Sequence, residues 1–445
     1  MNIIKPIRYD DALPKAVDIV VKEFGDDFFQ RNLLFRDADG VITIIVRETL
    51  NPDQAKAVSE ILQTTLGSYI AEPPVATPED LYDPSLGDPA KDNWELVELE
   101  TGKQLFIRYI ERRIVGNDWI RGMQSPIEGA PQVVVFSSLK GGVGRSTALS
   151  IAAMDLCNKG KSVLAIDLDL EAPGIGGMFL SEVTLPEYGA LDFYVEYGRT
   201  ELSADFISDM YGVTEIGEAG GQITIVPAAG KSSMKYPQNV LGKISRAYLE
   251  VVKSDGTPSS FLDKTRELIS TLCINKNYDV VFVDARAGLN ETTAATIQGL
   301  GADVLFFGVD TPQTWEGYKY FFSHLARYKS QDDSEIDWRY KIKIVHAKAS
   351  PVKSAQVSFR DDAFELFAEY LYDELEGTEA AEGLPGAFGF DLDDETAPHY
   401  AWPIYMSPEF YEFKPLELDR QSDVKVITPI FGEFLDKLND RLGIV

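Results

Sequence analysis

Residues 133–147 read VVVFSSLKGGVGRST. The apolar start of this stretch predicts a buried strand and the residues from Arg145 onward predict a helix, so the glycines between them form the turn. Gly141, Gly142 and Gly144 have no Cβ, which lets the backbone take positive φ and approach a ligand closely. The N–H groups of such a turn converge, and the first turn of the helix adds the positive end of its dipole. The stretch therefore predicts a loop that binds phosphate groups.

The loop departs from the common phosphate-loop pattern G-x-x-x-x-G-K-[ST] at two positions. Leu139 stands at the first glycine and Arg145 at the lysine, whereas Ser146 stands where a hydroxyl binds Mg²⁺. A lysine does occur nearby, but it is Lys140, directly before the glycines. The alternative is a plain glycine turn with a solvated lysine; the order strand, turn, helix favours a nucleoside triphosphate site. The residues expected to contact the nucleotide are Gly141, Gly142, Val143, Gly144, Arg145, Ser146 and Thr147.

Two further predicted strands end in carboxylates. The segment SVLAIDLDLEAPG at 162–174 is an apolar strand followed by Asp167 and Asp169, and NYDVVFVDARAGLNETT at 277–293 contains an apolar strand that ends at Asp284. Because the carboxyl ends of parallel strands meet at one edge of a sheet, these acids are expected beside the glycine loop. A carboxylate at such a position holds Mg²⁺, usually through water. The alternative for the first two acids is a role as strand-end caps and turn formers.

These motifs together resemble those of a known family. The run KGGVG followed by Arg-Ser-Thr is similar to the deviant Walker A motif, KGGxGK[ST], of the ParA/MinD family of dimeric P-loop ATPases. The run DARAGLNE resembles the family's D-x-x-A-G-hydrophobic segment. The resemblance covers roughly residues 131–440 and is closest to a bacterial subgroup whose loop reads KGGVGR. It implies ATP and Mg²⁺ as cofactors, and a homodimer that nucleotide closes and hydrolysis reopens.

The resemblance also assigns roles to individual residues. It implies that Lys140 reaches across the dimer interface onto the phosphates bound by the other subunit. The role in the Mg²⁺ shell suits Asp167, together with Ser146 and Asp284, and the role of positioning the attacking water suits Asp169. Which of the two acids in the 162–174 segment does which stays open.

Two arginines bear on the rate of hydrolysis. Arg286, in the segment that senses the terminal phosphate, acts either as an arginine finger or as part of a structural ion pair. Arg145 stays charged and can bridge two phosphate oxygens, but its planar guanidinium is bulkier than the ammonium it replaces. We therefore expect tight nucleotide binding with slow hydrolysis.

The sequence specifies the base of the nucleotide less clearly than it specifies the phosphate loop. The family reads it after a strand of the kind seen at 341–351, but the expected asparagine is absent and His346 or Lys348 stands there. The guanine signature N-K-x-D is also missing, so adenine is favoured. The aromatic segment HYAWPIYMSPEFYEFKP at 399–415 is expected to pack under a long loop, in preference to binding a ligand.

Composition limits the partners. The chain of 445 residues has 42 basic and 71 acidic residues, a formal charge of −29, which disfavours broad contact with nucleic acid or an anionic membrane but leaves room for a local basic patch. The helix predicted at 429–443 carries more acid than base, which favours a helix closing the fold over a membrane anchor. Only Cys157 and Cys273 occur, and neither a leader nor a long apolar run is found, so a reduced cytoplasm is expected.

The chain is expected to contain two domains. From 131 to 445 strands and helices alternate, which predicts an α/β domain with a mostly parallel sheet flanked by helices. Residues 1–130 predict a smaller α+β accessory or partner-recognition domain, with a helix after Asn51, a hairpin around Gly102 and a loop or linker at 71–92. Residues 183–221 are expected to be irregular.

The sequence therefore predicts a dimeric, slowly hydrolysing ATPase switch that controls an unidentified protein partner. One alternative is a nucleotide-binding scaffold without turnover, within a bacterial stress or defence module. Another is an ATP-dependent small-molecule ligase of the dethiobiotin synthetase type, in which Lys140 has no obvious role.

Overall fold

The structure is a computed structural model that describes residues 7–113, 116–216, 220–253, 256–274, 276–328, 337–373 and 387–444. The chain divides into two compact units, one up to Ile120 and the other from Arg121. Within the ranges just given, every helix is either too short or too polar to span a bilayer.

The first unit is a five-stranded sheet covered on one face by helices. Its helices are α1 (Tyr9–Phe24), α2 (Phe28–Arg31) and α3 (Pro52–Leu66). Its strands are β1 (Leu33–Arg36), β2 (Ile42–Ile45), β3 (Ile70–Ala76), β4 (Asn93–Glu98) and β5 (Gln104–Glu111), in the order β3-β2-β1-β5-β4. The predicted helix after Asn51 is confirmed, because the side chain of Asn51 caps α3 by accepting the N–H of Asp53 at 2.9 Å. The predicted hairpin is the antiparallel pair β4 and β5.

The expectation of a loop throughout 71–92 is wrong for its first part. Residues Ile70–Ala76 form the edge strand β3, parallel to β2. Ile70 and Ala76 are buried, which supplies the apolar contact the strand needs. The two prolines within it, which lack an N–H, are tolerated because an edge strand has one side without ladder bonds.

The second unit contains an eight-stranded sheet and a separate two-stranded ribbon. The strands of the large sheet are β6 (Gln132–Ser138), β7 (Ser162–Asp167), β8 (Gly212–Val213), β9 (Gln222–Val226), β12 (Val280–Asp284), β13 (Asp303–Gly308), β14 (Ile342–Ala349) and β15 (Trp402–Tyr405). The ribbon is β10 (Val251–Val252) with β11 (Pro258–Ser259). The order across the large sheet is β15-β14-β13-β6-β12-β7-β9-β8, and every pair is parallel except β8 with β9.

Helices lie between these strands in the chain. They are α4 (Arg145–Asn158), α5 (Ile175–Phe179), α6 (Ala190–Glu196), α7 (Ala204–Ser208), α8 (Lys231–Lys235), α9 (Val240–Ala247), α10 (Phe261–Cys273), α11 (Glu291–Ile297), α12 (Pro312–Leu325), α13 (Lys353–Tyr370) and α14 (Val424–Leu442). The predicted α/β class, a mostly parallel sheet flanked by helices, is confirmed. The expected closing helix is also confirmed, because α14 packs on β15 and α4 through Phe431, Phe434 and Leu438.

The expectation that residues 183–221 are irregular is wrong. Residues 183–221, of which 217–219 lie outside the described residues, contain the short helices α6 and α7 as well as β8. Helix α6 is stabilised by buried aromatic side chains and by Asp192, which accepts the N–H of Gly189 at 3.0 Å. The aromatic segment at 399–415 does pack, as expected, because Trp402 and Phe413 are buried in the core; it also contributes the edge strand β15.

The register of the central strands decides where the acids lie. In the ladder between β12 and β7, Asp284 pairs with Asp167, and in the ladder between β12 and β6 it pairs with Phe136. These strands are buried throughout except at Gln132 and Ser162, where β6 and β7 begin. The two carboxylates therefore lie side by side at the edge of the sheet from which the glycine turn leaves.

Candidate nucleotide site

The glycine turn between β6 and α4 adopts the predicted backbone. Gly142 and Gly144 have φ of 72° and 92°, in the left-handed region that favours glycine. Helix α4 begins at Arg145 directly after Gly144, with no side-chain cap on its first N–H groups. Leu139, at the position of the pattern's first glycine, packs on α12, where a Cβ added to Gly317 would come within 2.8 Å of its Cδ1. The turn thus presents uncapped N–H groups at a helix start, as an anion site requires.

Arg145 bridges two acids of the site. Its Nε donates to Oδ1 of Asp284 at 2.5 Å, and its Nη2 donates to Oδ2 of Asp169 at 3.0 Å. The side chain is only 8% exposed. Burial alone lowers the pKa of the guanidinium, but the charges of Asp284 and Asp169 outweigh burial and raise that pKa. The arginine is therefore a fully charged counter-ion inside the site.

Ser146 holds the other oxygen of the same carboxylate. Its Oγ donates to Oδ2 of Asp284 at 2.6 Å. Burial raises the pKa of Asp284, while Arg145 and Ser146 both oppose that rise. The structure thus brings together three residues that the sequence predicted for the site, Arg145, Ser146 and Asp284.

Asp167 accepts hydrogen bonds from the backbone, whereas Asp169 accepts one from the side chain of Arg145. The two oxygens of Asp167 accept backbone N–H groups, from Asp169 at 3.1 Å and from Gly174 at 2.9 Å, and the residue is completely buried. Burial, followed by the charge of Asp284, raises the pKa of Asp167. Asp167 shapes the loop after β7, whereas Asp169 turns its carboxylate to Arg145.

Arg286 forms an ion pair, one of the two roles that the sequence left open for it. Its Nη2 lies 2.5 Å from Oε2 of Glu171, with the two side chains 30% and 36% exposed. Glu171 also accepts a hydrogen bond from the hydroxyl of Tyr248 at 3.3 Å. Burial, followed by the charge of Glu171, raises the pKa of Tyr248 to about 12. Glu171 stands in the quoted DLDLE run, but its partner is distant in sequence, so no local pattern pairs them.

The loop after β12 is tied to the end of β6. Gly288, with φ of 94°, donates its N–H to the carbonyl of Ser138 at 3.0 Å. The hydroxyl of Thr293 donates to the carbonyl of Gly288 at 2.7 Å. Ser138 also contacts the glycine turn, since its hydroxyl donates to the carbonyl of Lys140 at 3.0 Å. Ser138 therefore links the glycine turn to the loop that carries Arg286.

Lys140, unlike Arg145, Ser146 and Asp284, has its side chain outside the buried cluster. It is exposed, and within the described part of the chain its ammonium group has no hydrogen bond or ion pair. The remaining cation near the turn is Lys348, whose Nζ donates to the carbonyl of Gly142 at 2.7 Å. The bulge at the end of β14, where Lys348 has φ of 52°, directs it there.

A pocket lies beside the glycine turn, toward β14 and β15. It is lined by Val143, Gly144, Thr147, Lys348, Ile404, Tyr405, Met406, Ser407, Phe410, Tyr411, Ile430 and Phe431. Of the two residues that the sequence offered for base contact, Lys348 is here and His346 is not. The imidazole of His346 stacks flat on Phe359 with ring centroids 3.8 Å apart, in a buried position.

The donor set fits Mg²⁺ bound together with a nucleotide. Among the residues that the structure describes, no three or more His, Cys, Asp or Glu side chains converge as a metal site. Mg²⁺ in nucleotide sites takes only one or two protein oxygens and completes its shell with water and phosphate. The hydroxyl of Ser146 and the carboxylate of Asp284, 2.6 Å apart, supply such a pair.

No family model matches the chain, and no curated protein matches its sequence. Among solved structures, it is similar to pNOB8 ParA bound to nonspecific DNA, with 16% identity and a TM-score of 0.40 over 70% of this chain and 97% of that one. A ParA family ATPase from Chlorobium tepidum shows 16% identity and a TM-score of 0.42, over 71% of this chain and 100% of that one. A Cyanothece McdA variant in its complex with ATP shows 14% identity and a TM-score of 0.40, over 71% of this chain and 98% of that one. These likenesses are distant.

Proposed function

We propose that the protein binds ATP with Mg²⁺ at residues 140–147 and hydrolyses it slowly, as a dimeric switch that controls a protein partner. The observation that carries this proposal is the buried cluster of Arg145, Ser146, Asp169 and Asp284 at the start of α4. A fixed cation, a hydroxyl and two carboxylates next to uncapped helix N–H groups are the parts that phosphoryl transfer uses. The loop falls in the deviant Walker A class because Lys140 precedes the glycines.

Binding begins with a change of partner for Arg145. Phosphate oxygens accept a guanidinium fork as well as carboxylates do, so the triphosphate competes with Asp169 and Asp284 for the same N–H groups. When bound, Mg²⁺ would be held by Ser146 and Asp284 and would neutralise charge on the phosphates. Asp284 therefore keeps a positive neighbour while the arginine turns to the nucleotide.

Hydrolysis then depends on two released side chains. Asp169, once separated from Arg145, has a carboxylate oxygen free to orient a water molecule. Arg286 can neutralise the transferred phosphoryl group only after it leaves Glu171. That ion pair is about one third exposed, so its loss costs on the order of 1 kcal/mol or less.

We attribute slow turnover to the buried ion pair between Arg145 and Asp284, which must separate in each cycle. Separating a buried ion pair without compensation costs about 3–5 kcal/mol, and Arg145 with Asp284 is such a pair. The nucleotide must supply that compensation in each cycle. The same observation favours a second candidate, a scaffold that binds nucleotide without turnover, if Arg145 never releases Asp169.

Dimerisation is supported by the position of Lys140. An exposed ammonium group beside a phosphate loop, with no partner in the described part of its own chain, is available to the phosphates of a second copy. The interaction would form only when nucleotide is present, so the dimer would report the nucleotide state.

The pocket beside the turn supports adenine. Its lining includes Tyr405, Met406 and Tyr411 and contains no carboxylate. Guanine needs an acceptor for its N1–H and exocyclic amino groups, whereas adenine can bind largely through apolar contact and stacking. Lys348 closes the pocket on the side of the turn.

The partner is a protein in this proposal, and the first unit is its recognition unit. A formal charge of −29 disfavours nucleic acid. The proposal is tested by titrating the protein with ATP and with GTP by calorimetry, with and without Mg²⁺, while phosphate release is measured. Tight binding of ATP with slow release is expected. Absence of nucleotide binding would rule the proposal out, and tight binding with no release in any condition would favour the scaffold.

A further inference from the structure

The carboxylate of Glu171 has a separate partner for each of its oxygens. Its Oε2 lies 2.5 Å from Nη2 of Arg286, and its Oε1 accepts a hydrogen bond from the hydroxyl of Tyr248 at 3.3 Å. Burial and then the charge of Glu171 raise the pKa of Tyr248, whereas the charge of Arg286 lowers it, so the three groups lie together. We call Tyr248, Glu171 and Arg286 the surface triad.

Glu171 needs a second anchor to stay on Arg286. It lies in the loop after β7, two residues beyond Asp169, and its side chain is 36% exposed. An ion pair between two long, exposed side chains contributes little stability, because holding both of them in one geometry costs conformational entropy. A hydrogen bond from a fixed donor removes part of that freedom before the pair forms. The position of Glu171 therefore depends on how firmly Tyr248 is held.

A buried lysine fixes the backbone on both sides of Tyr248. Nζ of Lys264 donates to the carbonyl of Ala247 at 2.6 Å and to the carbonyl of Leu249 at 2.8 Å. Lys264 is a completely buried residue of α10, and the two carbonyls lie at the C-terminal end of α9, where a cation is favourable. A buried ammonium group is costly unless its hydrogen bonds are made, so moving it away from these carbonyls is unfavourable. The main chain at Tyr248 is therefore tied to α10.

The ring of Tyr248 is held as well. It packs on Phe261 with ring centroids 5.6 Å apart, and Phe261 is 1% exposed at the start of α10. Phe261 stacks in turn on Tyr194, with 4.4 Å between ring centroids. The hydroxyl of Tyr248 is therefore a donor on a fixed ring, whereas Glu171 and Arg286 are partly exposed side chains on loops.

We propose that Tyr248 is a positioning residue that holds Glu171 on Arg286 and thereby slows phosphate release. This inference rests on the proposed function, in which Arg286 neutralises the transferred phosphoryl group, and it adds the group that regulates this arginine. Tyr248 acts through Glu171 and takes no part in the reaction itself. Because Glu171 stays in place while Arg286 is on the phosphate, the ion pair can form again after each cycle.

The first test follows Arg286 in the full-length chain without nucleotide. Phenylglyoxal modifies arginine side chains, and mass spectrometry of the digested protein gives the rate of modification at Arg286. Tyr248→Phe keeps the ring and removes the donor, so this rate should rise about threefold, the scale of one lost hydrogen bond. The matched control is Tyr194→Phe, which removes a hydroxyl from the same aromatic cluster, one that shares a hydrogen bond with Thr265 at 2.9 Å. The control should leave the rate at Arg286 unchanged.

The second test separates positioning from a general structural role. Adding Tyr248→Phe to Glu171→Ala should leave the modification rate at Arg286 as it is in Glu171→Ala alone, because Tyr248 acts through Glu171. With nucleotide, phosphate release at saturating ATP should rise about threefold in Tyr248→Phe while the affinity for ATP stays unchanged.

The outcomes distinguish this inference from the function on which it rests. Equal modification rates in the wild type and Tyr248→Phe, the same increase in Tyr194→Phe, or additive increases in the double variant would overturn the inference. If Arg286→Ala slows phosphate release and Tyr248→Phe leaves it unchanged, the inference is wrong and the ATPase proposal stands. If Arg286→Ala also leaves release unchanged, the proposed use of Arg286 in hydrolysis is wrong and the inference fails with it.

Discussion

Arg145 and Asp284 form a buried ion pair across the site, with Nε 2.5 Å from Oδ1 and the two side chains 8% and 0% exposed. The arginine stands where a phosphate loop carries its lysine, and the aspartate ends the strand that holds Mg²⁺ in such sites. The positive group that we propose for phosphate binding is thus compensated by two carboxylates, those of Asp284 and Asp169.

Arg145→Lys is expected to speed phosphate release roughly tenfold, because a single ammonium nitrogen replaces the two nitrogens that hold Asp284 and Asp169 and a barrier lowered by about 1.4 kcal/mol gives that factor. Single-turnover measurement of phosphate release checks this. A variant that binds ATP yet releases phosphate no faster would contradict the assignment of slow turnover to the arginine.

Arg145→Ala should lower the free energy of unfolding of the nucleotide-free protein by about 3 kcal/mol, because Asp284 is left buried without a counter-ion. Denaturant unfolding measures the change. Adding Asp284→Asn to the same chain should recover part of the loss, and the exposed control Arg199→Ala should change little. Equal effects of the two arginine variants would show that the pair contributes nothing.

Asp169→Asn should preserve ATP binding and abolish most phosphate release, since the amide cannot orient water as the carboxylate does. The ATP-bound dimer should therefore persist, which light scattering coupled to size exclusion would detect. If release continues at the wild-type rate, the water-positioning role belongs to another residue.

Lys140→Ala should leave the monomer folded and remove nucleotide-dependent dimerisation, because the ammonium group that is lost has no hydrogen bond or ion pair in the described part of its own chain. Molecular mass with ATP, with ADP and without nucleotide measures this, and Lys235→Ala serves as the exposed control. A wild type that is monomeric in all three conditions would remove the dimer mechanism.

Glu171→Gln should accelerate phosphate release, because it frees Arg286 from its ion pair. Arg286→Ala should slow release, and the double variant should match Arg286→Ala, since the glutamate acts only through the arginine. Additive effects in the double variant would mean that Glu171 acts independently of Arg286, and an unchanged rate in Arg286→Ala would make the pair purely structural.

The buried imidazole of His346 predicts a dependence of stability on pH. Burial lowers the pKa of His346 from its ordinary 6.5 to about 4, so between these values the unfolded chain binds more protons than the folded one. The contribution of His346 to stability is therefore lost as the pH falls from 6.5 toward 4. Between pH 7 and pH 4, the midpoint temperature of thermal unfolding should fall less steeply for His346→Phe than for the wild type. Parallel curves would contradict this.

Local patterns were sufficient for the parts of the site that lie next to each other in sequence. The glycine turn, the start of α4 and the strand ends at Asp167 and Asp284 follow from apolar runs broken by glycine or acid, and all were found as predicted. Strand β3 and helix α6 were missed because a proline pair and a short buried helix carry no periodic signal of their own.

Contacts between residues far apart in the sequence could not be predicted from local patterns. Glu171 with Arg286 and Lys348 with Gly142 depend on which loops emerge at the same edge of the sheet. Sequence left the role of Arg286 open between a finger and an ion pair, and only the folded arrangement supplied its partner.

The sequence by itself determined the glycine turn, the start of α4 and the strands that end in Asp167 and Asp284, because short stretches encode these elements and backbone sterics and burial set their geometry. Only the tertiary structure decided which acids Arg145 contacts. Its guanidinium is long enough to reach both Asp169 and Asp284, and whether it does so depends on the register of β7 and β12 beside β6. That register is fixed by packing across the whole sheet, which no local pattern contains.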